Sequence, residues 1–171
     1  MKLLEDIILT DSVEIAAPPE KVFEFLLGVV DDASYRIWHP DDHVAFRWIR
    51  GAPWEEGSVA RAEEYLHGRL HKLKFRVDRV EPQKEIVIAP PSRILRIFFP
   101  EKRFEIRPSE KGCIFTAQGH FRFGRIAKTL AKHKLEIGLS SVRKHMKEEG
   151  ENLKRILEQG NSHNKRVEAT Q

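Results

Sequence analysis

IAKTLAKHKLEIGLSSVRKHMKEEGENLKRILEQ, residues 126–159, is where the apolar spacing of this chain turns from strand-like to helical. The stretch reads as one long closing helix, with Gly138 as a position for a bend. Its apolar stripe carries two polar residues, His145 and Glu149. Helix residues turn by about 100° each, so a spacing of four stacks both side chains on one face. Counted from His145, Glu149 lies roughly 40° round the helix, and Gly138, Val142, Leu153 and Ile156 lie within about 80°. A carboxylate facing a core is costly unless a partner offsets its lost hydration. A divalent metal is one such partner. On a solvent face the same residues would form an ordinary i,i+4 pair, and Lys144 and Lys147 stand near enough to offer salt bridges instead.

Working back from that helix, the chain reads as a succession of short strands. Residues 11–16 (DSVEIA) alternate and read as a strand, and Pro18 and Pro19 then open a helix with Val22, Phe23, Leu26 and Leu27 on one face. A second short piece through VVDDASYRIW stops at Pro40. Strands are predicted at His43–Arg50 and then at 58–67, 70–81, 85–90, 93–99, 102–107 and 112–123, with Gly51, Pro53 and Gly57 marking a turn. In the 70–81 strand, Leu73, Phe75 and Val77 alternate with Lys72, Lys74 and Arg76, as in a sheet with one wet face. The tail GNSHNKRVEATQ is polar and is expected to be disordered.

Composition narrows the field. The 171 residues suit one domain with a sizeable core, assigned to residues 1–158. No apolar run approaches the roughly 18 residues of a membrane span, and MKLLEDIILT carries acids and no small-residue cleavage site, unlike a signal peptide. The single cysteine, Cys113, excludes a disulfide framework, reads as a core thiol and fits a reducing cytoplasm. The net charge of +4 comes from Lys and Arg interspersed with acids, which argues against nucleic-acid binding.

Two further segments carry candidate ligands. Trp38-His39-Pro40-Asp41-Asp42-His43 is a rigid turn feeding a strand. His43 begins that strand, in phase with Ala45, Arg47 and Ile49, while His39 belongs to the turn. In the strand 58–67, Ala60, Ala62, Glu64 and Leu66 form one row and Arg61, Glu63, Tyr65 and His67 the other. Glu64 therefore faces the interior between small residues, and Glu63 is the more ordinary surface acid.

A strand, two helices, about six antiparallel strands and one long closing helix resemble the α+β helix-grip fold of START domains, the birch-pollen allergen and polyketide cyclases. The resemblance covers roughly residues 8–158 and implies a curved sheet wrapped around the last helix with a ligand cavity between them. Within that superfamily the chain is similar to the 2,4-diacetylphloroglucinol hydrolase family. The shared features are Tyr35 eight residues before His43 in a Y-x-x-W-H-P-x-D-H segment, a Glu in the following strand, and H-x-x-x-E in the last helix. The resemblance implies zinc, or another divalent metal, held by His43, Glu64, His145 and Glu149, with His39 and Glu63 as alternative ligands. It also implies hydrolysis of a carbon–carbon bond between an acyl group and a phenolic ring. Tyr35 would stand beside the substrate, and His120 would correspond to a substrate-facing His. Strand alternation, however, groups His120 with Thr116, Gln118 and Arg122, away from Phe115, Ala117 and Phe121.

A metal of this kind lowers the pKa of bound water towards about 7 and polarises a ketone oxygen. Mixed nitrogen and oxygen ligands also admit iron, manganese or cobalt. Trp38, Trp48, Phe98, Phe99, Phe121 and Phe123 are candidate walls of an aromatic pocket, or core residues. The competing reading is a non-catalytic carrier whose cavity holds a lipid, polyketide or other hydrophobic molecule. The oligomeric state is open.

Overall fold

In the computed structural model, which describes residues 4–66, 68–124 and 129–168, with side chains to residue 160, the chain opens as β1, Leu4–Ile15. That strand is longer than the predicted 11–16. Then come α1 (Pro19–Leu27), α2 (Asp32–Trp38), β2 (His43–Arg50), β3 (Val59–Leu66), β4 (Arg69–Glu81), β5 (Glu85–Ala89), α3 (Arg93–Phe98), β6 (Glu101–Ser109), β7 (Gly112–Gly124) and α4 (Lys132–Glu168). The seven strands form one antiparallel sheet in the order β1-β7-β6-β5-β4-β3-β2, and α4 packs across β1 and β7. This is the expected α+β helix-grip architecture.

Local chemistry explains the element ends. Pro19 at the first turn of α1 gives up an N–H that no helix start can satisfy, and Val22, Phe23 and Leu26 are buried below it. Asp31 and Ser34 form a reciprocal cap on α2: the Ser34 amide donates to Asp31 Oδ1 at 2.8 Å and the Asp31 amide to Ser34 Oγ at 3.0 Å. Gly112 enters β7 with φ +150, where an added Cβ would stand 2.4 Å from the Ile15 carbonyl oxygen.

One predicted element changes type. Residues 93–99, read as a strand, form the helix α3. Pro90 and Pro91 end β5, and Ser92 caps the turn that follows, its hydroxyl accepting from the Leu95 amide at 3.4 Å. Because the chain leaves the sheet there, β5 pairs with β4 only over Arg76–Glu81, and the first half of β4 has no strand partner on that side among the described residues. Arg96 ties α3 down with Nη1 and Nη2 on the two Asp78 oxygens, at 2.7 and 2.8 Å, and Nε on the Pro90 carbonyl.

At the far end, α4 continues through Gly138 and reaches Glu168, so most of the tail predicted to be disordered is helical. The predicted helix start at Ile126 lies outside the described residues. The core lies between α4 and the inner sheet face, where Ile15, Leu26, Ile86, Phe115, Met146 and Leu153 are sealed from solvent together with Cys113. No helix among the described residues is long and apolar enough to cross a membrane.

Candidate functional site

Between the sheet and α4 lies a cavity of about 260 Å³. Its walls are mainly apolar and include Trp38, Phe46, Trp54, Phe75, Phe99, Phe104 and Phe121. Tyr35, Glu64, Lys102, His145 and Glu149 also line it and are gathered together at a polar end, while Lys74, Glu101 and His120 are further polar residues of the lining. Of the predicted aromatic walls, Trp38, Phe99 and Phe121 line it; Trp48, Phe98 and Phe123 do not.

The polar end is assembled from four elements. Glu64 comes from β3, between the buried Ala60 and Ala62 row and the cavity, and is 2% exposed. Glu63 points the other way and pairs with Arg61 at 2.5 Å. Strand alternation separated these two acids correctly. His145 and Glu149 project from consecutive turns of α4, their Nε2 and Oε1 atoms 3.5 Å apart. His145 Nε2 also stands 3.8 Å from Glu64 Oε2. Tyr35, from α2, donates its hydroxyl to Glu64 Oε1.

The fourth position is filled by His39, not by His43. His39 Nε2 lies 3.8 Å from Glu149 Oε1, and its ring stacks on His145 with centroids 5.0 Å apart. Ligand atoms of His39, His145 and Glu149 all fall within 4.8 Å of one another. His43 turns aside: its enclosed ring puts Nε2 2.8 Å from Asp32 Oδ1, in a bond that ties β2 to the start of α2. The resemblance, not strand phase, points to His43: its row, with Ala45 and Arg47, is opposite that of the cavity-lining Phe46, and the register shifts between His43 and Ala45. Two hydrogen bonds carry His39 inward instead. Trp38 Nε1 donates to the Glu149 carbonyl at 3.0 Å, and Asn152 Nδ2 donates to the Trp38 carbonyl at 3.0 Å. They clamp the end of α2 onto α4 beside the two helix ligands.

His120 does not join the cluster. His120 is among the residues that line the cavity, but its imidazole is engaged by Asp6, with Nε2 2.7 Å from Asp6 Oδ1 beside Arg122. His120 thus borders the cavity apart from the polar cluster, although alternation along β7 groups it with Thr116, Gln118 and Arg122.

Lys102 was missed in the sequence. On β6 it alternates with Phe104 and Ile106 on the inward row, and that parity was the available signal. Its Nζ lies 2.5 Å from Glu149 Oε1 and 4.9 Å from the Phe104 ring centroid.

Electrostatics follow from burial and these contacts. Burial pushes the His39 imidazole down to about 3, overriding the pull of Glu149, so it is neutral at ordinary pH. For His145, burial also opposes the charged form, but the Glu149 carboxylate overrides it and raises the pKa. Burial would raise Glu149; Lys102 and His145 outweigh it and hold the acid far below the usual carboxylate range. Burial, reinforced by Glu64, raises the Tyr35 hydroxyl well above its usual value, so Tyr35 is a donor and not a base.

The donor set fits a divalent ion. His39 Nε2 and Glu149 Oε2 are buried with no hydrogen-bond partner among the described residues, and His145 and Glu64 stand next to them. Two imidazoles and two carboxylates are ligands that zinc and its neighbours accept. Lys102 already serves Glu149 as a cation and would share that carboxylate with the metal.

Comparison with known proteins agrees with the architecture. A solution structure of a polyketide-cyclase-like protein from Corynebacterium glutamicum superposes with a TM-score of 0.58 at 16% identity, covering 93% of this chain and 96% of that one. Norcoclaurine synthase from Thalictrum flavum, solved in complex with dopamine and hydroxybenzaldehyde, gives a TM-score of 0.60 at 10% identity, covering 83% of this chain and 87% of that one. At such identities these likenesses show the fold. No curated protein matches the sequence. The family described as polyketide cyclase / dehydrase and lipid transport matches residues 6–158, nearly the whole described chain, and the protein belongs to that family.

Proposed function

We propose that this protein takes up one medium-sized, largely apolar aromatic molecule and holds a carbonyl or phenolic oxygen of it at the polar end of the cavity. The lining carries this reading: aromatic walls enclose the volume, while Lys102 and His145 present N–H donors and Tyr35 a hydroxyl oxygen that can accept from a phenol at one end. The family and its fold neighbours support a hydrophobic occupant. Titration with acetylated phenols, followed through the fluorescence of Trp38 and Trp54, should give saturable binding. Tyr35→Phe should weaken phenolic ligands by roughly tenfold, the scale of one lost buried hydrogen bond. No saturable uptake of any aryl ketone or phenol would sink the proposal.

A second reading rests on the two partnerless buried atoms, His39 Nε2 and Glu149 Oε2. Here His39, His145, Glu149 and Glu64 hold zinc or another divalent metal, and the protein hydrolyses the carbon–carbon bond joining an acyl group to a phenolic ring or related ketone. A bound metal would supply Lewis-acid polarisation of the ketone and activation of water. The protein's own groups do the rest. Neutral His39 is ready to give a lone pair without first losing a proton. Glu64 is oriented by Tyr35, and the apolar walls exclude bulk water. Lys102 faces a developing negative charge on the ring oxygen, and Tyr35 is the nearest protonated hydroxyl. Calorimetric titration of the purified protein with zinc tests this: binding near one equivalent is expected, and its loss in His39→Ala and His145→Ala. Zinc binding untouched by both substitutions would contradict it.

A further inference from the structure

The gap in the sheet beside the first half of β4 is rimmed by residues of one character. Beyond Ala89 no strand among the described residues pairs with Arg69–Phe75 on the β5 side, and the chain runs through α3 and Phe99 before it rejoins the sheet as β6. Leu73, Lys74 and Phe99 line the cavity and also reach the surface, so the cavity opens here. α3 buries none of its residues, and Ile94, Leu95 and Ile97 are 70%, 50% and 48% exposed. Across the gap, Leu70 and Leu73 are exposed as well. A helix that shows apolar side chains to water with no stripe buried is unusual on a free surface.

The charge around this rim is one-sided. No acid occurs between Leu66 and Val77 or between Pro90 and Pro100, whereas Arg69, Lys72, Lys74, Arg76, Arg93 and Arg96 do. Asp78 engages Arg76 and Arg96, and Glu63 reaches Lys72 at 3.9 Å. Arg69, Lys74 and Arg93 form no ion pair among the described residues. Exposed isoleucine and leucine interleaved with unpaired cations match the interfacial layer of a negatively charged bilayer, which takes up both kinds of group at once.

We infer that α3 and the adjoining half of β4 dock the protein on an anionic lipid surface, with the cavity mouth against the membrane. Docking depends on the rim alone. That the occupant then passes between lipid and cavity rests on the ligand-binding reading above.

The test is sedimentation of the full chain with phosphatidylcholine vesicles, with and without a minority of phosphatidylserine. Binding should require the anionic lipid and weaken as salt rises. Arg93→Ala should lower the partition coefficient roughly fivefold, the usual worth of one cation near such a surface. Ile94→Asp with Ile97→Asp should lower it by more than roughly tenfold. Neither isoleucine lines the cavity, so uptake of an acetylated phenol in solution should survive in that variant and certify its fold. No binding, equal binding to neutral vesicles, or indifference to the double substitution overturns docking. So does self-association of the unaltered chain that the same variant abolishes, because a second copy would then be what covers the face. If vesicle binding holds while no phenol is taken up, the cavity reading fails and docking stands.

Discussion

Lys102 is the residue on which the energetics of the polar end turn. Among the described residues it is the one ammonium paired with Glu149, a buried carboxylate, and it sits where a metal's charge would otherwise be needed. Lys102→Met should cost the metal-free protein roughly 2–4 kcal/mol in urea denaturation, because it strands a buried charge. With zinc added, most of that loss should be recovered, and zinc affinity should rise about tenfold once the competing cation is gone. Unchanged or weaker zinc binding would show that Lys102 and the metal do not share Glu149. At this scale the sequence was informative wherever a regular element set direction. Glu64, His145 and Glu149 were legible from strand and helix phase. His39 is not legible in this way, because its direction comes from two long-range hydrogen bonds made by Trp38 and Asn152, which no local period encodes.

Elements behave differently from residues, and α3 is the instructive case. Its apolar run fits a strand or a short helix equally well, so periodicity could not decide; Pro90, Pro91 and the Ser92 cap did. What fixes α3 in place is the Asp78–Arg96 pair. Burial would raise the Asp78 carboxyl, but Arg96 and Arg76 outweigh it and hold it below its usual value. A depressed folded pKa means the clamp contributes fully above the ordinary carboxylate pKa of about 4 and is lost as pH falls through the folded value. Asp78→Asn should therefore cost roughly 1–3 kcal/mol at neutral pH and progressively less in acid. Hydrogen exchange should locate the loosening in residues 93–99. A penalty that stays constant down to acid pH would mean that the charge of Asp78 is not what holds the helix.

Over the whole molecule, the sheet and α4 share one core, and the cavity is the part of it left unfilled. The succession of elements made the grip of sheet on helix legible beforehand, because a long 3.6-period segment after many strands has one broad face to bury. Cavity size and mouth were not legible, since they depend on β5 stopping at Ala89 and on side chains meeting across the sheet. Leu153, fully enclosed on α4, tests this packing: Leu153→Ala should destabilise the fold by about 2–5 kcal/mol. A loss well below that range in thermal or urea unfolding would mean that α4 is less firmly seated than the burial of its inner face implies.

The convergence of α2, β3 and α4 on one polar centre is tested most directly by anomalous diffraction at the zinc edge from zinc-soaked crystals. A single strong peak bounded by His39, His145, Glu149 and Glu64 is expected. A peak at His43 and Asp32, or none inside the cavity, would contradict it.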